Sequence, residues 1–430
     1  MRRFRDPRTN WIAVIALLVA MASLRGSKLL SSWYHNLGSR ALSLEWQVVR
    51  EAPLVAPCQQ WAADSGAAQP VAQAQRLNPG DGRVRLSAGR VAWLLGDCDT
   101  ALDEWSSMQS GDMIARLEHA DALHALGNRE QAVAMYREIP GITDYLDLRG
   151  DAAEASQDMK AAVFWYELGM EVSPTLATAQ DLAALYVQSE QRDAAITVWR
   201  TLSEGSPQAD PVHWWAKGRS AELAEDWVTA ASAYEQGAGQ SDDPCEFLER
   251  LEAALEQLEQ FAAAESISLE ALDACPERLW PYLRLGNLRR WQADHTGASQ
   301  WYTQAEMLWP EHFAPKFYLG LIRFEQEDYT QAETYLRHAL TLNPEHSWSM
   351  YHLAWCLHET ERKEDAVKAL SRAIELDAEE PWRWAMLLGD WQMELGHGEE
   401  ALTSYRQALS WHPGDESIEA RIEEALQVTQ

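Results

Sequence analysis

The chain has 430 residues, of which 47% are hydrophobic, so it has ample material for a core and general disorder is excluded. Asp and Glu number 66 against 36 Lys and Arg, which gives a formal net charge of −30. Because binding to nucleic acid begins with the neutralisation of phosphates by basic side chains, this charge argues strongly against a nucleic-acid partner.

The chain opens with a basic stretch, residues 1–10, that precedes an uncharged run from Trp11 to Leu24. At about 1.5 Å per residue this run is about 21 Å long, short of the roughly 30 Å hydrocarbon core, but an extension to Trp33 and Tyr34 would reach an interface. Residues 11–34 are therefore a transmembrane anchor or a signal peptide cleaved near Ala22, with a buried helix as a third interpretation. Either of the first two leaves residues 1–10 as a cytoplasmic tail and exports the rest, as a single-pass membrane protein or as a secreted one.

Residues 35–81 are predicted to form a connecting helix and a degenerate helix pair that ends with "AQAQRLNP" at Pro79. Pro53 and Pro57 interrupt the first helix of that pair. From about Val84 onward, apolar residues recur at spacings of three and four in blocks separated by Gly, Asp or Asn-Pro. This pattern predicts a string of helix pairs without strands.

One phrase recurs along the chain, as "AETYLRHALTLNP" from Ala332 and, thirty-four residues later, as "AVKALSRAIELDA" from Ala366. The pattern resembles the tetratricopeptide repeat, which has a small residue at position 8, Ala at position 20 and Pro at position 32. Aligned in this way, repeats begin at residues 82, 113, 143, 176, 211, 245, 279, 313, 347 and 382. The resemblance implies an all-α, right-handed superhelical solenoid of about ten helix pairs over residues 82–414, closed by a capping helix over residues 415–430.

Two positions carry most of the resemblance. Position 8 is small in nine repeats, at Gly89, Ala120, Gly150, Ala183, Gly218, Gly286, Gly320, Ala354 and Gly389. The repeat that begins at Cys245 departs there, with Glu252. Position 20 is alanine in every repeat, at Ala101, Ala132, Ala162, Ala195, Ala230, Ala264, Ala298, Ala332, Ala366 and Ala401.

The repeats leave no room for an additional catalytic domain. The sequence has no Gly-rich phosphate loop and no nucleophile elbow, and "HETER" at His358 lacks the second His of a zinc protease helix. We therefore predict a binding protein that is not an enzyme and has no metal or cofactor.

The five cysteines include no CxxC pair, and most are interpreted as small core residues. One bridge stays open. Cys245 and Cys275 occupy positions 1 and 31 of one repeat, which antiparallel helices bring to the same end.

In the tetratricopeptide family, positions 2, 5, 9 and 12 of the first helix face a concave groove. In the repeat that begins at residue 143 these positions hold four carboxylates, Asp144, Asp147, Asp151 and Glu154. The spacing places them on one helix stripe. Three interpretations remain: a solvated face, a docking patch for a basic segment, or a cation site.

Farther along, the same positions are mainly aromatic or aliphatic. They hold Trp280, Leu283, Asn287 and Arg290 in the repeat that begins at residue 279, then Phe317, Leu321 and Phe324, and then Trp348, Tyr351, Trp355 and His358. Aromatic anchors with interspersed Asn and Arg are typical of recognition surfaces. Asn287 resembles the asparagine with which many peptide-binding members hold a ligand backbone. The alternative is that the repeats bury these side chains against one another.

The residues and the resemblance together predict an exported, membrane-tethered scaffold that binds an extended, largely apolar peptide or protein segment. The alternative is an accessory module of cell-surface polysaccharide assembly or glycan binding, in which Trp and Tyr stack on sugar rings. Trp outnumbers Phe by 21 to 7, which keeps that alternative open.

Overall fold

The computed structural model describes residues 31–32, 35–36, 67–108, 112–376 and 381–429. Most of the predicted anchor and of residues 35–81 lies outside these ranges. Among the described residues, no helix combines the length and the apolar character needed to cross a membrane. The described residues contain helices and no β-strand, so the all-α prediction is confirmed for them.

The chain divides into two compact bodies, Met1–Ala224 and Glu225–Gln430. The described helices of the N-terminal body are α1 Ala68–Leu77, α2 Gly82–Leu94, α3 Cys98–Ser106, α4 Met113–Ala125, α5 Arg129–Arg137, α6 Ile142–Ala155, α7 Met159–Val172, α8 Leu176–Gln188, α9 Arg192–Gly205 and α10 Pro211–Leu223. Within this body most helices pack against the next one along the chain, and α5 packs against α7.

The C-terminal body continues the pattern. Its described helices are α11 Trp227–Ala238, α12 Cys245–Gln257, α13 Phe261–Ala274, α14 Trp280–Trp291, α15 His295–Leu308, α16 Phe313–Glu325, α17 Tyr329–Leu342, α18 Ser347–Glu359, α19 Lys363–Glu375, α20 Pro381–Glu394, α21 Gly398–Trp411 and α22 Glu416–Thr429. Neighbouring helices again pack together, and α22 lies on α21.

The turn inside each helix pair has one backbone feature in common. The residue at position 15 has a positive φ in every predicted repeat, whether it is a glycine such as Gly96 (φ 82°) or a bulkier residue such as Glu327 (φ 61°). A left-handed residue ends the first helix and reverses the chain. In several repeats, including those of Asp158 and Asp328, the following residue then caps the second helix through its carboxylate.

Small residues allow the two helices of a pair to approach closely. All ten alanines at position 20 are fully buried. A Cβ added to Gly150 would lie 2.3 Å from the Tyr166 ring, and one added to Gly389 would lie 2.4 Å from the Tyr405 ring. The spacing of small residues read from the sequence therefore corresponds to the packing inside the pairs.

More of the cysteines form disulfides than the cysteine pattern suggested. Cys245 and Cys275 are bonded, with Cα atoms 5.8 Å apart, so α12 is tied to the end of α13. Cys98 is disulfide-bonded as well, whereas Cys356 is a buried free thiol. The interpretation of the cysteines as mostly small core residues is therefore wrong for Cys98, Cys245 and Cys275.

Candidate binding surfaces

The side chain of Trp384, in α20, is the buried base of an aromatic cluster in the C-terminal body. Only 6% of Trp384 is exposed, and Tyr351 stacks on its ring with centroids 4.6 Å apart. Trp348 meets the same ring edge to face at 5.1 Å. Two predicted groove residues of α18 are therefore supported by a side chain of the next repeat.

Trp391 supports the cluster in the same way, two helix turns farther along α20. It is 2% exposed, and the His358 ring stacks on it with centroids 4.5 Å apart. Trp355 meets Trp391 edge to face at 5.1 Å. Stacked and edge-to-face rings at these distances are favourable, so α18 and α20 hold one another through aromatic contacts.

His352 joins this cluster to α16. Its ring lies 5.9 Å from that of Phe317, 5.3 Å from Phe324 and 5.2 Å from Tyr351, and its Nδ1 lies 2.8 Å from the Trp348 carbonyl oxygen. Burial lowers the pKa of His352 to about 4, so the imidazole is neutral at neutral pH. We call the resulting layer the aromatic surface: Phe317, Phe324, Trp348, Tyr351, His352, Trp355, His358, Trp384 and Trp391.

The predicted groove residues of α14 lie in a more enclosed setting. Trp280 packs against the cluster that contains the disulfide, and Leu283 packs against the core around Tyr302. Asn287 is buried, and its Oδ1 accepts a hydrogen bond of 2.8 Å from the Tyr302 hydroxyl. Its carbonyl oxygen is therefore already engaged inside the repeat.

Exposure differs widely among the eleven predicted groove residues. Trp348 is the most open of them, with 38% of its surface exposed. Three are buried: Asn287, Phe317 and Leu321. The others are half-buried: Trp280, Leu283, Arg290, Phe324, Tyr351, Trp355 and His358. The repeats thus bury some of the predicted groove residues against each other and leave a strip centred on Trp348.

Two cationic side chains at the rim of this strip are paired. Arg290 donates to Glu325 at 2.6 Å, and Lys363 donates to Glu394 at 2.9 Å. His358 Nε2 also lies 3.1 Å from a Glu394 carboxylate oxygen. A partner therefore meets an apolar strip next to two cations that already have partners within the protein.

The four predicted carboxylates of α6 lie in the N-terminal body and are much more open. Asp144, Asp151 and Glu154 are exposed and Asp147 is half-buried. Two of them also have a role inside the repeat array, because Asp151 accepts from the Tyr166 hydroxyl at 2.7 Å and Asp147 accepts from Thr178 at 2.8 Å.

Helix α8 adds a fifth carboxylate, Asp181, to this stripe, and the positions within a single repeat did not predict it. Burial, and then the charges of Asp151, Glu154 and Asp147, raise the pKa of Asp181. Burial also raises the pKa of Asp147, and the charges of Asp151 and Asp144 raise it further. We call these residues the acidic stripe: Asp144, Asp147, Asp151, Glu154 and Asp181.

Among the described residues, no group of three or more His, Cys, Asp or Glu side chains is arranged to hold a metal ion. The cation interpretation of the acidic stripe therefore gains no support. Trp384, Trp391 and His352 were also missed, because they occupy positions 3, 10 and 6 of their repeats and only positions 2, 5, 9 and 12 were considered for the groove. All three have a ring side chain and lie in the same repeat as the aromatic positions of α18 or in the next repeat. That pattern is the sequence signal that could have identified them.

Comparison with known proteins supports the repeat assignment. Residues 323–390 match the family model of the tetratricopeptide repeat, in a region where the sequence pattern predicted such repeats. The matched residues include most of the aromatic surface. No curated protein sequence matches the chain.

Several solved structures have a similar arrangement of helices. The Cut9–Hcn1 hetero-tetramer of the APC/C shares 13% identity at a TM-score of 0.46, over 95% of this chain and 98% of that one. A tetratricopeptide repeat protein from Parabacteroides merdae shares 13% sequence identity at a TM-score of 0.43, over 58% of this chain and 98% of that one. Yeast Tom70 also shares 13% sequence identity at a TM-score of 0.43, over 84% of this chain and 91% of that one. At such identities these structures say nothing about what this chain binds.

Proposed function

We propose that this chain is a non-enzymatic interaction scaffold that binds an extended, largely apolar peptide or protein segment along the aromatic surface. The observation that carries the proposal is Trp348, a large aromatic side chain that stays 38% exposed while Trp384 holds its ring from below. Rigid aromatic anchors of this kind dominate the binding energy of many interfaces.

The groups around Trp348 determine which kind of partner fits this strip. His352 is neutral, and Arg290 and Lys363 at the rim are paired within the protein. A charged side chain placed against the rings themselves would lose water without gaining an ion pair. An uncharged segment with aliphatic or aromatic side chains fits this strip best.

The proposal includes export of the repeats and tethering through residues 11–34. The Cys245–Cys275 disulfide supports export, since such bonds form and persist in oxidising compartments. Accessibility of an epitope at Gln430 to external protease, in cells that express the full chain, tests the placement. Cleavage only after cell lysis would refute export. Release of the repeats into the medium would refute the tether.

Arrays of peptides and of glycans, probed with the purified full chain, test the binding function. We expect capture of apolar peptides by the wild type and loss of that capture in Trp348→Ala. Trp411→Ala is the matched control, because Trp411 is 42% exposed and lies on α21, outside the aromatic surface. Capture of glycans alone would instead favour the polysaccharide alternative.

A further inference from the structure

The repeat that begins at Cys245 has an unusual contact between its two helices. Position 8 is Glu252, and it is fully buried where the other repeats have Gly or Ala. Position 24 is Ser268, also fully buried, where most repeats have an aromatic ring such as Tyr302. Neither the two carboxylate oxygens of Glu252 nor the Ser268 hydroxyl has a hydrogen-bond partner in the structure.

The positive charge beside Glu252 comes from the next repeat. Arg284 of α14 places its Nε 3.2 Å from Glu252 Oε2, and its Nη1 2.9 Å from Glu256 Oε2. Glu256 lies one turn after Glu252 on α12, so two carboxyl groups share one guanidinium. Glu249, also on α12, is exposed and adds a weaker negative charge. Ser268 of α13 contributes no charge.

The balance of these charges depends on one proton. With one proton on either Glu252 or Glu256, the remaining negative charge matches Arg284. Without it, two negative charges face one positive charge, and the Glu252 carboxylate among them is fully buried, which is costly. Burial raises the pKa of Glu252 to about 8, Arg284 opposes the rise, and Glu256 adds to it.

We propose that Glu252, Glu256 and Arg284 form a proton-dependent joint between the repeats that begin at residues 245 and 279. While the shared proton is present, Arg284 ties α14 to α12. Loss of the proton loosens that contact. The Cys245–Cys275 disulfide keeps α12 joined to α13, so the opening occurs between α12 and α14. The joint does not depend on the proposed binding function.

The direction of the pH effect follows from linkage. The pKa of Glu252 is about 8 in the folded chain against 4.5 ordinarily, so the folded state holds the proton more tightly. The stability that this proton contributes is fully present below about pH 4.5 and is lost as pH rises through about 8. Between these values the opening constant of the joint rises by up to about tenfold per pH unit.

Native-state hydrogen exchange of the full chain at about pH 6 and about pH 9, corrected for the intrinsic exchange rate, measures this opening. In the wild type we expect the amides of α12 and α14 to open up to about 100-fold more at the higher pH, relative to those of α16 and α17. Glu252→Gln should abolish this increase. Glu249→Gln, which removes an exposed carboxylate from the same helix, should retain it.

A second variant covers the case in which Glu252→Gln does not fold. Glu252→Ala combined with Ser268→Leu copies the Ala354 and Leu370 pair, which is fully buried in another repeat. This double variant should show no pH-dependent opening of α12 and α14. The proposal is overturned if the wild type opens equally at both pH values, or if either Glu252 variant retains the full pH dependence.

Discussion

Helices α6 and α18 occupy equivalent places in their repeats but present opposite chemistries. At positions 2, 5 and 9, α6 has Asp144, Asp147 and Asp151, whereas α18 has aromatic residues. The carboxylates stay mostly in water. The aromatic side chains instead pack against rings from α20. The repeat thus determines the position of a side chain on its helix, whereas the chemistry of that side chain determines how much of it the next repeat buries.

Where position 9 is Asp or Asn, it makes the same contact in the N-terminal and C-terminal bodies. Asp151 accepts a hydrogen bond from Tyr166 in one region, and Asp390 accepts one of 2.8 Å from Tyr405 in the other. Asn287 has the same arrangement with Tyr302. An Asp or Asn at this position therefore accepts a hydrogen bond from the tyrosine at position 24 of its own repeat.

The largest expected difference between the regions concerns leucines. Leu353 of α18 is buried, so Leu353→Ala should lower the free energy of unfolding by roughly 2–5 kcal/mol. Leu148 of α6 is 65% exposed, and Leu148→Ala should change it by less than about 0.5 kcal/mol. Denaturant melts of the two variants measure both effects. Equal losses would contradict the assignment of the helix faces.

The packing inside the pairs should respond alike in both regions. A Cβ on Gly320 would lie 3.0 Å from Leu336 and one on Gly150 would lie 2.3 Å from Tyr166. Gly320→Leu and Gly150→Leu should therefore each lower stability by roughly 1–3 kcal/mol or more, through overpacking. Neighbouring repeats should lose protection from hydrogen exchange as well. An unchanged thermal melt of either variant would contradict the close approach of its helix pair.

The aromatic surface itself should divide into a structural region and an open one. Trp355 is half-buried against Trp391, so Trp355→Ala should cost more stability than Trp348→Ala. We expect a loss of about 2 kcal/mol or more for Trp355 and about 1 kcal/mol or less for Trp348. Urea denaturation followed by circular dichroism tests the order. The reverse order would place Trp348 in the core.

The smallest expected effect belongs to the acidic stripe. Because the pKa of Asp181 is raised in the folded chain, its charge opposes folding once pH exceeds the ordinary value. Asp181→Asn should therefore raise stability by about 0.2–0.5 kcal/mol at neutral pH and low salt. The gain should shrink in about 1 M salt, which screens the neighbouring charges but not the effect of burial. It should vanish at acid pH, where the wild-type carboxyl is protonated. Asp193→Asn, an exposed change outside the stripe, should show no such gain.

The sequence predicted the repeats well because small residues leave a strong periodic signal. Ala332 and Gly320 recur at fixed positions since no larger side chain fits between the paired helices. Exposure at the groove positions was harder to predict. Whether Phe317 is buried depends on His346, which caps α18, and on His352 within that helix, and the repeat pattern specifies neither residue.

Two further features could not be read from position alone. Asn287 matched a ligand-binding position in the repeat pattern, but the hydroxyl of Tyr302 engages its carbonyl oxygen. Glu252 was recognised only as a departure from the pattern. Its pairing with Arg284 depends on the distance between α12 and α14, which the order of residues does not give.

Calorimetric titration of an apolar peptide selected on the arrays compares the two surfaces most directly. The full chain, Trp348→Ala, Trp411→Ala and a variant with Asp144, Asp147 and Asp181 changed to Asn would each be titrated with that peptide. We predict that Trp348→Ala weakens binding by about 30-fold or more, equivalent to about 2 kcal/mol, and that the other two variants bind like the wild type. Undiminished binding by Trp348→Ala, together with a loss in the aspartate variant, would contradict the assignment of the ligand to the aromatic surface.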